Sequence, residues 1–173
     1  MSKQIRIPVD GGHLAAIDHG GPGRPMLLVH GSGHYAAAWN ALAAHLAPRY
    51  RIVALDLRGH GQSTAESTTA EQYWRDLAAA VARSSRTSPS TTPNAAYLGV
   101  SKRRRNDRIT CPMVIVLPSR GFYAHRRDEI ERIVTAAPGR RLVDIDSNHN
   151  TVMTKPAELA AIIATLAEDH ESA

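Results

Sequence analysis

A chain of 173 residues is the size of one compact domain, enough for a single sizeable core and too short for two. Its composition, 43% hydrophobic and 21% charged, is that of a globular protein and excludes a disordered or fibrous one. The net charge of +5 is concentrated in Lys102-Arg103-Arg104-Arg105-Asn106-Asp107-Arg108, which carries +4 of it. No aromatic residue interleaves with that run to stack bases, so it reads as a solvated loop and not as a nucleic-acid-binding stripe. No apolar stretch reaches the ~18 residues of a membrane span. Met1–Arg6 lacks the apolar core of a signal peptide, so the expectation is a cytoplasmic protein with no membrane partner. The lone Cys111 excludes an intramolecular disulfide framework and a cysteine-rich zinc site.

In chain order, Gln4–Val9 alternates, Asp10-Gly11-Gly12 reads as a turn, and His13–Asp18 pairs back as a hairpin. Gly20-Gly21-Pro22-Gly23 breaks the chain before Pro25–His30, a short apolar run suited to a buried strand. Ala36–Leu46 has helical spacing, with Trp39, Leu42 and Leu46 on one face, and Arg51–Asp56 is a second buried strand. Thr68 with Glu71 forms a capping box for a helix running to about Arg83. Ser84–Asn94 is a low-complexity loop and Ala95–Val100 a possible strand. Pro112–Leu117 is strand, Asp128–Ala137 helix and Arg141–Ile145 strand. Pro156–Ala167 is a closing helix with Leu159, Ile162, Ile163 and Leu166 inward. Strands alternating with helices imply an α/β fold with a mainly parallel sheet.

Two motifs stand at strand ends: His30-Gly31-Ser32-Gly33, and about 25 residues further on Asp56-Leu57-Arg58-Gly59-His60-Gly61-Gln62-Ser63. Near the other end, Asp146-Ser147-Asn148-His149 is followed by Lys155-Pro156-Ala157-Glu158-Leu159. Together these segments resemble the α/β-hydrolase family. The resemblance covers roughly residues 5–83 and 110–168, with 84–109 an irregular junction, and implies one truncated α/β-hydrolase domain over 1–173. It implies an oxyanion hole at Gly31, Ser32 and Gly33, where a tight turn exposes backbone amides. It makes His149 the general base and gives Asp56–Ser63 a structural role only.

The family's nucleophile sits in Gly-x-Ser-x-Gly. The nearest sequence is Gly99-Val100-Ser101-Lys102-Arg103, which makes Ser101 the candidate nucleophile but puts an arginine where a small residue belongs. Only ten residues, 102–111, separate Ser101 from Pro112, whereas a parallel crossover with its helix needs at least about 10–12. The missing middle, with its lid, amounts to on the order of 60 residues. Gly121 stands where the resemblance puts the triad acid, leaving Asp128 and Asp146 as alternatives. The spacings offer no phosphate loop, no dinucleotide fingerprint and no helical histidine pair, so neither a cofactor nor a metal is expected. The expected function is a serine hydrolase for ester-like small-molecule substrates, with activity impaired. The alternative is a catalytically inactive family remnant or binding protein. On either reading, sheet left exposed by the missing layers is expected to invite self-association.

Overall fold

The structure is a computed structural model and describes residues 1–31, 33–66, 72, 75–77, 79, 80, 113–136 and 139–169. The chain divides into two compact units, Met1–Tyr97 and Leu98–Ala173.

In the first unit, β1 (Lys3–Val9) and β2 (Gly12–Gly20) form the expected hairpin, with Ile7 opposite Leu14 and Ile5 opposite Ala16. Alternation decides which face is inward. Ile7, Leu14 and Ala16 are buried while Gln4, Arg6 and Pro8 face out. β3 (Pro25–Val29) and β4 (Arg51–Leu55) are apolar apart from Arg51 at the start of β4 and pair in parallel, Leu27 against Val53. β4 also pairs antiparallel with β2, so the sheet order is β1-β2-β4-β3. Ile7, Leu14, Ala16, Leu27, Val53, Leu55, Ala65 and Ala80 form its core.

Between β3 and β4 the expected single helix is a 3-10 turn, Ala36–Trp39, that runs on into α1, Asn40–Leu46. Such tightening is common in a first helical turn. Trp39, Leu42 and Leu46 are buried as the spacing predicts. Gln72, Arg75–Leu77, Ala79 and Ala80 are helical, inside the segment expected to be a helix.

In the second unit, β5 (Met113–Arg120) and β6 (Arg140–Asn148) pair in parallel, Val116 beside Val143. After β5 a 3-10 turn, Ala124–Arg126, leads into α2, Arg127–Thr135. The short α3 (Thr151–Thr154) and α4 (Pro156–Asp169) follow β6. Leu159 on α4 is fully buried, but Ile162, Ile163 and Leu166 are only half-buried, so the inward face is narrower than the spacing predicts. Arg127 ties α2 to β6 through a two-pronged contact with Asp144, at 2.7 and 3.1 Å, and also reaches Glu131 at 2.9 Å. The guanidinium is partly exposed, so this fork fixes geometry more than it stabilises. The capping box at Thr68 and Glu71, the loop Ser84–Asn94, the strand Ala95–Val100, the basic run 102–108 and Cys111 all lie outside the described residues.

The chain break after β2 is shaped by close approach of backbones. A Cβ on Gly23 would stand 1.7 Å from the Arg49 carbonyl oxygen, and one on Gly21 1.9 Å from that of Tyr50. Gly31 has nothing within 4 Å of such an atom and needs no positive φ. Gly23→Ala therefore lowers unfolding stability by about 1–3 kcal/mol, while Gly31→Ala stays within about 0.5 kcal/mol of the parent. Urea unfolding of the two variants checks the contrast.

Candidate active site

The turn after β3 is held by Asp56, the first residue beyond β4. Its carboxylate is buried and accepts the Ala36 amide at 2.5 Å and the Gln62 amide at 2.9 Å. Its own amide donates to the Ala15 carbonyl at 2.9 Å, and its carbonyl accepts the Ser63 hydroxyl at 2.7 Å. Ser63 Oγ in turn accepts the Ala15 amide at 2.9 Å. One aspartate thus joins the start of the 3-10 turn, the loop after β4 and strand β2. Gly61 is required here: its φ is +54°, and a Cβ would lie 2.2 Å from Asp56 Oδ2.

His30, buried at the end of β3, forms a second clasp. Nδ1 donates to the Gly31 carbonyl at 2.8 Å, and Nε2 accepts the Leu57 amide at 3.0 Å. That pairing requires the neutral ring with its proton on Nδ1. Burial is the main cause holding the His30 pKa below the ordinary histidine value; the His60 ring, centroid 5.0 Å away, acts in the same sense, and the Gly31 bond opposes it. Beyond the two clasps, Gly31 and Gly33 are exposed, and Gly33 takes the left-handed conformation at φ +80°. Ser32, between them, lies outside the described residues.

Arg58 closes the same unit from behind. It is buried and forks onto the buried Asp76 at 2.5 and 3.0 Å, and it donates to the Asp10 carbonyl at 2.6 Å. Removing one partner of such a pair costs about 3–5 kcal/mol, because the other charge is left buried alone.

In the second unit His149 follows β6 directly and is exposed. Its turn is set by polar contacts. Asn148 Oδ1 accepts the Asn150 amide at 2.9 Å, spanning His149, and the Asn148 carbonyl accepts the Thr151 hydroxyl at 3.0 Å. Buried Ser147 meets the Thr154 hydroxyl at 2.9 Å. The ring of His149 packs on Phe122, centroids 4.4 Å apart and planes 45° inclined.

Residues 26–101 match the model of the alpha/beta hydrolase family. A solved E-2-(acetamidomethylene)succinate hydrolase superposes with a TM-score of 0.77 at 14% identity, over 97% of this chain and 100% of that one. A thermophilic esterase from Thermogutta terrifontis gives 0.78 at 14% identity, over 96% and 98%. The chain has an α/β-hydrolase fold. In sequence it is 41% identical over 51 residues to the (E)-2-((N-methylformamido)methylene)succinate hydrolase of Acinetobacter baylyi, 30% of this chain and 19% of that protein. It is 43% identical over 63 residues to protein phosphatase methylesterase 1 of Bos taurus, 34% of this chain and 17% of that protein. The matched stretch therefore spans less than a fifth of each of these relatives.

Set against this fold, Gly31, Gly33 and His149 are the sequence-predicted site residues that the structure describes, whereas Ser32 and Ser101 lie outside the described residues. Neither alternative acid reaches His149. Asp146 takes the Ser119 hydroxyl at 3.0 Å and the Arg120 guanidinium, which together hold its pKa below the usual carboxylate value. Asp128 is fully exposed beside Arg127. Gly121 leaves little room for a replacement, since a Cβ there would stand 3.2 Å from Pro118 Cβ and its carbonyl oxygen. Among the described residues, then, no carboxylate hydrogen-bonds the imidazole. Sequence reasoning missed His30 as a clasp, Asp76 as the partner of Arg58, and Phe122 as the neighbour of His149. Alternation of apolar and polar residues signals none of these pairings.

The His30 clasp has a pH consequence. Its folded-state pKa is depressed, so on acidification the unfolded chain binds the proton first. Stability from this group is complete above the unfolded value of about 6.5 and is lost as pH falls below it. Between about pH 7.5 and 5.5, His30→Gln loses less stability than the parent, by denaturant unfolding at each pH. His19, whose pKa burial also lowers, is present in both proteins and supplies slope common to them.

Proposed function

We propose that this chain is a small esterase-like serine hydrolase acting on ester-like small-molecule substrates, with turnover reduced by the changes at its nucleophile elbow and acid. The observation that carries the reading is that Gly31 and Gly33 are exposed just beyond a strand end, where His30 holds the Gly31 carbonyl and Asp56 holds the Ala36 amide. Fixed amides of this kind stabilise an oxyanion without reorganising during the reaction. Ser101 is taken as the nucleophile on the partial elbow motif Gly99-Val100-Ser101, which lies inside the family match.

In the proposed reaction Ser101 Oγ attacks the ester carbonyl carbon while its proton passes to the His149 imidazole. The carbonyl oxygen becomes an oxyanion, taken up by amides of the Gly31–Gly33 turn. Collapse breaks the carbon–oxygen bond to the alcohol, which leaves with the proton from His149. Water, deprotonated by His149, then releases the acid and restores Ser101. The reaction needs neither metal nor cofactor. Among the described residues no carboxylate fixes the tautomer of His149, and loss of that function costs about 10⁴-fold in kcat in a serine protease.

A fluorophosphonate probe with peptide mapping tests the reading. Ser101 is labelled, and labelling is lost in Ser101→Ala and falls strongly in His149→Ala. Folded protein that takes up no label overturns it in favour of an inactive remnant or binding protein. That second reading draws its support from Arg103 at the closing position of the elbow and from Asp146 being held by Ser119 and Arg120.

We assign the protein to the cytoplasm and propose that it self-associates through exposed sheet. No helix among the described residues is long and apolar enough to cross a membrane. The basic run 102–108 is proposed to be a solvated surface that does not bind nucleic acid. Replacing Arg103, Arg104 and Arg105 by Gln then changes stability by no more than about 0.5 kcal/mol each. Salt-sensitive DNA or RNA binding abolished by those substitutions contradicts this.

A further inference from the structure

The turn after β5 holds a feature that the proposed reaction leaves unused. Phe122 is 70% exposed, although an aromatic ring left in water forgoes the stabilisation of burial. The backbone around it is tightly wound, with the Gly121 amide on the Pro118 carbonyl at 3.0 Å and the Ala124 amide on the Gly121 carbonyl at 3.2 Å. On the facing side the Asn148 bracket fixes the turn that carries His149. Two constrained turns thus bring the phenyl and imidazole rings to 4.4 Å at an inclination of 45°, within the range that aromatic pairs prefer.

We propose that Phe122 is the positioning residue of His149, its ring holding the imidazole by packing where no described carboxylate holds it by a hydrogen bond. The inference rests on the reading of His149 as general base. A ring contact restricts rotation of the side chain, but it does not select between the Nδ1 and Nε2 protonated forms as a carboxylate does. The imidazole is therefore aimed without being locked in one tautomer. Phe122 touches neither substrate nor reacting atoms in this account and acts only through His149.

The test compares the full chain with Phe122→Leu, which keeps apolar bulk, and Phe122→Tyr, which keeps the ring. His149 ring protons, assigned by their loss in His149→Ala, are followed by NMR alongside hydrolysis of p-nitrophenyl acetate. In the parent and the Tyr variant those protons are displaced by the neighbouring ring, and in the Leu variant the displacement disappears. With it kcat falls by up to about tenfold, the factor to which such a ring pair amounts, and the Tyr variant restores it. KM stays within about twofold, as expected when ground-state binding is untouched. His149 resonances that do not move in Phe122→Leu overturn the proposal, as does unchanged kcat once the displacement is lost. A parent protein without any turnover refutes the hydrolase reading, and the ring-proton comparison then decides alone whether Phe122 holds His149.

Discussion

A carboxylate taken out of water is favourable only to the extent that donors surround it, and the first unit is built to supply them to Asp56. Two backbone amides converge on its oxygens, one from Ala36 at the head of the helical segment and one from Gln62 beyond β4. Charge-assisted bonds of this type are roughly twice as strong as neutral ones, and a negative charge at the start of a helical turn is favoured by its dipole. Several sequence features become necessary once the carboxylate is there. Position 61 has to be glycine, Ser63 has to bridge Asp56 to Ala15, and the chain after β3 has to return to Ala36 within a few residues. Gly31 and Gly33 lie exposed on that return. His30 fixes it from the other side, and does so only as a neutral ring. The candidate oxyanion site is in this sense a by-product of satisfying one buried charge.

The second unit solves a different problem with weaker means. Its charged residues are largely at the surface, and its ion pairs through Arg127 and Arg120 fix geometry and are exposed to screening. The turn carrying His149 relies on neutral hydroxyl and amide contacts from Ser147, Asn148, Thr151 and Thr154. Those contacts place the backbone accurately, but none reaches the imidazole itself. The carboxylate beside it in sequence, Asp146, is committed to Ser119 and Arg120. The preorganised backbone of the first unit thus contrasts with a histidine that lacks an acid partner among the described residues. This imbalance is the physical ground for proposing a slow hydrolase.

Much of this was legible in the sequence, for identifiable reasons. The hairpin, the two central strands and the buried face of Trp39, Leu42 and Leu46 follow from periodicity, because burial imposes it directly. The two glycine-bearing motifs could be read because tight turns tolerate few other residues. What could not be read depends on contacts distant in sequence. Arg58 and Asp76 are both charged residues of the kind normally found in solvent, yet they are buried together, and nothing local announces it. The start of the helical segment is held by Asp56, twenty residues away, which no local pattern shows. The half-exposed face of α4 departs from its regular spacing because periodicity reports which residues are apolar and not how far each is covered. Phe122 beside His149 is a meeting of two loops, which periodicity does not describe.

The central claim is that the Asp56 carboxylate organises the turn after β3 and the loop after β4 as one unit. Amide hydrogen exchange by NMR tests it most directly, comparing the parent protein with Asp56→Ala. The account predicts that Ala36, Leu57 and Gln62 exchange slowly in the parent and that all three accelerate together in the variant, since the loss of one acceptor loosens both segments. Exchange at these amides that is unchanged by the substitution, or acceleration confined to Ala36 alone, would contradict it.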